Sequence, residues 1–429
     1  MEREALNTLL RWKDNNKKKP LILKGARQVG KTWIMKEFGN RYYSKVAYIS
    51  FYNNARMRAV FEEDYNIDRI LMNIAAETGV KVTPGDTLII FDEIQEAPKA
   101  LESLKYFCED APEYDVVAAG SLLGVAIHAG ISYPVGKVEE LSIYPMSFEE
   151  FLLAVGEDIL VENLINRRYE WLKDLKDKYL FWLKNYFFVG GMPEVVQYFV
   201  DEKDYVGVRK LQKSLLANYE KDFGKHAEGE LRLRVSQVWN AIPMQLSKEN
   251  KKFFFGGIKK GARMKDFELA IQWLTDCGLV HKVTRVSKPG LPLKSYEEIE
   301  AFKLFILDVG LASAMCNLGS RVLLEGDSTF TEFKGALTEN YVLQQLKSNT
   351  EYQIYYYSRD TSDFELDFLL DGDEGAIPVE VKAQENLRAK SFKNYCDEFR
   401  PVTAYRTSQS DYRTESWMTN IPLYAIGTI

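Results

Sequence analysis

Short, nearly continuous apolar runs alternate with stretches of helical spacing over the first third of the chain. The runs are Pro20–Lys24, Val46–Phe51, Thr87–Phe91, Val116–Gly120 and Val138–Ile143. Runs of this length with little polar alternation fit strands buried on both faces. Ahead of them, Leu6, Leu9, Leu10 and Trp12 keep a helical period that ends in the polar run Asp14–Lys19. Strands alternating with helices predict a parallel sheet covered on both sides. The block closes near Ser147-Phe148-Glu149-Glu150, where a serine three residues before a glutamate marks a capped helix start.

Beyond it, from about Asp158 to Phe223, the period is helical, and the aromatics Trp171, Tyr179, Trp182, Tyr186 and Phe187 read as helix packing. A Gly190-Gly191-Met192-Pro193 break interrupts it. From Gly224 to Met315 short helices precede β-like alternation at Gly278–Arg285 and Ala301–Leu307. Phe267–Cys277 reads as a helix with Ala270, Ile271 and Leu274 inward, and Gly278–Val283 then opens a ribbon, the order helix, turn, wing. The last block begins with a helix at Lys334–Leu346 and continues with strands Tyr352–Tyr357, Phe364–Leu370 and Ile377–Val381. No internal repeat is evident.

Composition narrows this picture modestly. With 429 residues, 46% hydrophobic and 28% charged, the chain is a globular protein of several domains. A net charge of −6 is small for that length, so a nucleic-acid surface would have to be a local patch. Cys108, Cys277, Cys316 and Cys396 form no close pair, which points to reduced thiols and a cytoplasmic setting without a zinc site. His128, His226 and His281 are isolated. The charged start Met1-Glu2-Arg3-Glu4 offers no apolar signal core. Val116–Gly136 carries no formal charge and is long enough to span a bilayer, but Gly120, Gly124, Gly130 and Pro134 break it. It is read as a buried strand and its following loop, with no membrane span.

The candidate chemistry starts at Gly25-Ala26-Arg27-Gln28-Val29-Gly30-Lys31-Thr32, which matches the phosphate-binding P-loop pattern GxxxxGK[ST] in full. Strand Leu21-Ile22-Leu23 precedes it and a helix from Trp33 to Phe38 follows, as the pattern requires. Glycines permit the φ angles of a loop folded around an anion, and successive N–H groups face it at a helix N-terminus. Lys31 is placed for the β- and γ-phosphates of ATP or ADP, and Thr32 for Mg²⁺. Thr87–Phe91 then ends in Asp92-Glu93, two carboxylates suited to holding Mg²⁺ and polarising the attacking water respectively. Ser121, closing the next strand, is a polar sensor candidate. The predicted site is therefore Lys31, Glu93 and Ser121 for catalysis, Gly25 to Trp33 for nucleotide, and Thr32 with Asp92 for metal.

These residues, with Ala119-Gly120-Ser121, Pro145–Phe151 and Gly190-Gly191-Met192-Pro193-Glu194, resemble the AAA-type ATPases of bacteria and archaea that carry a C-terminal domain of unknown function. The likeness runs through nearly the whole chain. It implies an α/β protein: a P-loop NTPase parallel sheet at 1–157, a helical lid at 158–223, a winged-helix-like middle domain at 224–315 and a nuclease-like α/β domain at 316–429. No transition-state arginine stands out among Arg27, Arg56, Arg58, Arg69, Arg167 and Arg168, and such a residue can come from a neighbouring subunit of a homo-oligomer.

Two further patterns leave alternatives open. Lys248, Lys251, Lys252, Lys259, Lys260, Arg263 and Lys265 surround Phe253-Phe254-Phe255, a pattern for phosphate contact and base stacking. Asp266, Glu268 and Asp276 would repel a DNA backbone, so a solvated or protein-docking face reads equally well. In the last block, Glu365 and Asp367 share one strand face, as do Glu380 and Lys382, the arrangement of PD-(D/E)xK nucleases, with Glu339 as a further acid. The readings carried forward are an ATPase acting on a nucleic-acid or protein partner, an ATP-gated metal-dependent nuclease, and a non-hydrolysing nucleotide-binding scaffold.

Overall fold

The computed structural model describes residues 1–121, 123–124, 132–227, 229–246, 252–325, 331–359, 364–384 and 390–429. Most of the uncharged segment after Gly124, together with His128, Lys248 and Lys251, lies outside the described residues. Among the described residues no helix is long and apolar enough to cross a membrane. The chain divides into two compact units, one of Met1–Tyr144 with Asp276–Gly278, the other of Pro145–Thr275 with Leu279–Ile429.

In the first unit, α1 (Glu4–Lys13) leads to β1 (Leu21–Lys24), α2 (Lys31–Tyr42), β2 (Lys45–Ser50), α3 (Ala55–Glu63) and α4 (Ile67–Thr78). Then follow β3 (Thr87–Asp92), α5 (Pro98–Asp110), β4 (Asp115–Ala119) and β5 (Glu139–Ser142). The strands form one sheet in the order β2-β3-β4-β1-β5, and every pairing is parallel. All six residues of β3 and all five of β4 are buried, which is why these central strands read as unbroken apolar runs. At the edge, β5 alternates half-buried and exposed residues (Glu139 to Ser142), and its charged side chains blunt a free strand edge. Phe51, Phe61, Phe91 and Phe107 interlock edge-to-face or tilted on one side of the sheet.

The second unit opens with α6 (Phe148–Ala154), whose Ser147–Glu150 capping box is complete. Helices α7 (Asp158–Ile165), α8 (Lys176–Val189), α9 (Pro193–Glu202), α10 (Tyr205–His226), α11 (Gly229–Leu246) and α12 (Met264–Asp276) follow. Next come β6 (Val280–Val286), β7 (Glu297–Ile306), α13 (Val309–Met315), α14 (Ser320–Glu325), α15 (Thr331–Asn349), β8 (Ile354–Ser358), β9 (Glu365–Gly372) and β10 (Gly375–Val381). The chain ends with α16 (Lys390–Phe399), β11 (Tyr405–Ser408), β12 (Arg413–Thr414) and β13 (Thr419–Pro422). All eight strands form one mixed sheet in the order β12-β13-β11-β10-β9-β8-β6-β7.

The first unit ends at Tyr144, and α6 packs within the second unit. Phe148 and Phe151 lie edge-to-face on Tyr186, and the Met146 N–H donates to the Gly191 carbonyl at 2.7 Å. The β6–β7 ribbon is antiparallel, as a wing would be, yet β6 also pairs with β8. The ribbon is therefore the edge of the sheet built by the C-terminal strands, and a separation at 315/316 cuts through one hydrogen-bonded layer.

The Gly190-Gly191 break is a joint of close approach. Gly190 has φ +77°, and a Cβ there would collide with the Asp308 carboxylate, while one on Gly191 would strike the Met146 carbonyl. Asp308 accepts from the Gly191 N–H at 2.6 Å and from the Gln344 amide at 3.1 Å, and burial pushes its carboxyl above the usual carboxylate range. From α15, Asn340 and Gln345 complete this buried polar lattice by satisfying the backbone of Ile306 and Phe148.

Candidate functional site

The sheet order of the first unit builds the site. β4 is inserted between β1 and β3, with Leu23 and Asp92 both in register with Ala119. The C-terminal ends of three adjacent strands thus deliver Gly25, Ser121 and Asp92-Glu93 to one edge, where α2 begins. Helix α2 has Gly30 at its N-cap with φ +98° and no side-chain cap, so its first N–H groups are left for a ligand. Gly25 has φ +142°, and a Cβ there would overlap the Ile143 carbonyl oxygen. Gln28 also takes a left-handed φ of +67° and is exposed, Arg27 is half-buried, and Ala26 and Val29 are buried under the loop.

Lys31 is 8% exposed and donates to the carbonyls of Gly25 and Ala26, both at 2.7 Å. Burial pulls its pKa down to about 8, with Arg27 adding to the fall, against the attraction of Glu93 and Asp92. The Thr32 hydroxyl donates to Asp92 Oδ2 at 2.8 Å, so the two predicted metal-holding oxygens are adjacent. Glu93 sits at φ +51°, turned back from the strand end, and its Oε2 accepts from Ser121 Oγ at 3.2 Å and Gln95 Nε2 at 2.6 Å. Trp33, the last residue assigned to nucleotide contact, is 40% exposed. The structure thus brings Lys31, Thr32, Asp92, Glu93 and Ser121 together at one edge of the sheet.

Three residues of this edge escaped the sequence reading. Tyr48 on β2 donates to Asp92 Oδ2 at 2.9 Å, and burial, reinforced by the Asp92 charge and this hydrogen bond, raises the tyrosine pKa to about 12. Gln95 holds Glu93, and the absence of a side chain on Gly120 is what admits its amide. Arg3, nearly fully buried just ahead of α1, donates to the Val29 carbonyl at 3.0 Å and the Tyr144 carbonyl at 2.8 Å, tying down the loop. Among the arginine candidates, Arg56 is paired with Glu77 at 2.7 Å, Arg58 donates to the Phe51 carbonyl at 3.1 Å, and Arg69 is held by Glu63 and Asp64.

The second unit gathers Glu339, Asp367, Glu380 and Lys382 as well. Lys382 lies 2.5 Å from Glu380, and Asp367 accepts from the Val381 N–H at 2.8 Å. Burial, then repulsion from Asp367, lifts Glu380 to about 7, with Lys382 opposing. Lys303 on β7, missed by the sequence reading, reaches into this cluster. It is 0% exposed, 2.5 Å from Glu365 and 3.9 Å from Glu339. Burial disfavours its charge, but Glu365, Glu339 and Asp367 overcome that and raise its pKa.

The basic stretch is corrected in part. Phe253 is buried and Phe255 half-buried, stacked or edge-on with Phe302 and Phe267, leaving only Phe254 of the three exposed, at 62%. Two of the three proposed stacking rings are thus committed to packing. The interrupted aromatic helices behave as expected, with Tyr179, Tyr186 and Phe187 buried, although Trp171 is exposed.

Comparison with known proteins places the two ends of the chain. A family model described as an AAA domain matches residues 17–152, and a domain of unknown function (DUF4143) matches residues 334–426. A P-loop AAA ATPase domain is thus matched at residues 17–152 and a C-terminal domain of unknown function at 334–426. Between them a second domain of unknown function (DUF8612) matches residues 180–322. Among solved structures it is similar to the Walker-type ATPase paby2304 of Pyrococcus abyssi, 16% identical over 73% of this chain and 95% of that one, with a TM-score of 0.46. A variant of Thermotoga maritima RuvB is 14% identical over 66% of this chain and 89% of its own, TM-score 0.33. The Aeropyrum pernix ORC1 protein, solved in complex with DNA, is 14% identical over 74% and 91%, TM-score 0.25. No curated protein matches. The AAA family match supports ATP binding and hydrolysis by this chain.

Proposed function

We propose that the chain binds ATP with Mg²⁺ in the loop Gly25–Thr32 and hydrolyses it, and that the second unit couples turnover to a nucleic-acid or protein partner. The observation that carries the reading is the convergence of the Thr32 hydroxyl, at the open N-terminus of α2, with the Asp92–Glu93 carboxylates and Ser121 at the neighbouring ends of β3 and β4.

The adjacent hydroxyl and carboxylate oxygens of Thr32 and Asp92 are hard donors that suit Mg²⁺. Bound there, the ion supplies charge neutralisation at the phosphate oxygens. The backbone N–H groups of the loop and Lys31 receive the phosphates, and Lys31 exchanges the carbonyls of Gly25 and Ala26 for phosphate oxygens. Glu93 takes a proton from, or orients, the attacking water, and Ser121 and Gln95 determine where its carboxylate points. Tyr48 fixes Asp92 from the neighbouring strand. A second copy of the chain is our proposed source of the transition-state arginine, since Arg56, Arg58 and Arg69 are held by local acceptors.

The second unit is assigned the partner. Its supporting feature is the basic run Lys252, Lys259, Lys260, Arg263 and Lys265 around exposed Phe254. ATP turnover measured alone and with single-stranded, duplex and branched nucleic acid tests this coupling. Stimulation by one of them is expected, and turnover indifferent to all three would leave a protein partner as the reading.

A further inference from the structure

The arrangement of acids in the second unit calls for a divalent ion if it is a PD-(D/E)xK nuclease centre. Such a centre needs at least two carboxylates free to converge on one cation, with a lysine beside the water. The side chains here are differently committed. Glu365 and Glu339 face the buried ammonium of Lys303, which also lies 4.8 Å from the centre of the Tyr356 ring. Glu380 is taken by Lys382, and Arg406, almost wholly buried, stands beside Glu380 in the β10–β11 register. Asp367 is turned onto the Val381 N–H. Among the described residues no three Asp, Glu, His or Cys side chains are grouped as a metal ion would need.

We propose that this cluster takes no divalent metal, because Lys303 is its resident cation, and that the second unit is a charge-compensated relative of a nuclease fold rather than a nuclease. Lys303 enters from β7, which stands three places from β9 in the sheet, so no motif around Asp367 or Glu380 contains it. The physical logic is that a buried ammonium among carboxylates both satisfies their charge and occupies the volume an ion and its waters would need.

Removing that ammonium should leave acids that recruit an ion instead. The test is Mn²⁺ binding to the full-length chain without nucleotide, counted by electron paramagnetic resonance, for wild type, Asp367→Asn, Lys303→Met and the double variant. Wild type and Asp367→Asn are expected to bind the same number of ions. Lys303→Met is expected to gain one ion that the added Asp367→Asn change removes. A wild-type protein that binds one more Mn²⁺ than Asp367→Asn, or that cleaves DNA with Mn²⁺ in an Asp367-dependent way, would overturn the proposal. A folded Lys303→Met protein with no added ion would overturn the part given to Lys303. Should Lys303→Met fail to fold, the comparison of wild type with Asp367→Asn decides alone. Neither result bears on the ATP site, whose residues are untouched.

Discussion

Lys31 offers a prediction in which direction and size both follow from the structure. Its pKa of about 8 in the free protein means that at pH 7 roughly nine-tenths of molecules carry the charge, and at pH 9 roughly one-tenth do. A polyphosphate needs the charged form and restores it on binding. ATP affinity should therefore fall about tenfold between pH 7 and pH 9, or about 1.4 kcal/mol, with uptake of nearly one proton per ATP at the higher pH. The comparison is Lys31→Arg, whose guanidinium keeps its charge throughout. Isothermal titration calorimetry in buffers of different ionisation heat reads both affinity and proton uptake. Stability of the free protein runs the other way. A lysine whose folded pKa lies below its unfolded value of 10.5 binds fewer protons when folded, so its stability penalty, full below pH 8, is relieved as pH rises from 8 toward 10.5. Equal pH slopes for wild type and Lys31→Arg, or no fall in either, would refute the reasoning.

Three further substitutions probe the geometry. Gly25→Ala places a side chain at φ +142° against the Ile143 carbonyl, and should abolish nucleotide binding while destabilising the protein by at least about 2 kcal/mol, read by calorimetry and thermal denaturation. Gln95→Ala frees the Glu93 carboxylate and should lower kcat about tenfold with KM changed less than about twofold; steady-state turnover checks this, and an unchanged kcat removes Gln95 from the mechanism. Gly190→Ala, at φ +77° against Asp308, should cost on the order of 2 kcal/mol, and a melting temperature equal to wild type would count against the joint described above.

The parallel sheet was legible because its signal is local. Thr87–Asp92 and Asp115–Ala119 are buried on both faces, so their apolar runs end where the strands end. The P-loop and Asp92-Glu93 were legible for a similar reason, since each motif is contiguous and sits at a strand end. What the pattern could not reveal depends on sheet order. Lys303 lies between Phe302 and Leu304 in a strand that reads as core, and only the stacking of β7, β6, β8 and β9 carries it to Glu365. Gly191 and Asp308 are 117 residues apart, and neither predicts the other. The Phe253-Phe254-Phe255 run misled because aromatics beside lysines look alike whether they stack on bases or on each other. Here Phe302 and Phe267 complete the cluster, and the packing reading wins for two of the three.

The claim at the centre is that Glu93, beside Thr32, Asp92 and Ser121, makes the loop a hydrolytic site rather than a nucleotide shelf. Single-turnover ATP hydrolysis by wild type and Glu93→Gln tests it most directly. The account predicts that the variant binds ATP with wild-type affinity and hydrolyses it at least about 100-fold more slowly, so that ATP stays on the protein. Hydrolysis by Glu93→Gln at the wild-type rate, or no hydrolysis by the wild type itself, would contradict it.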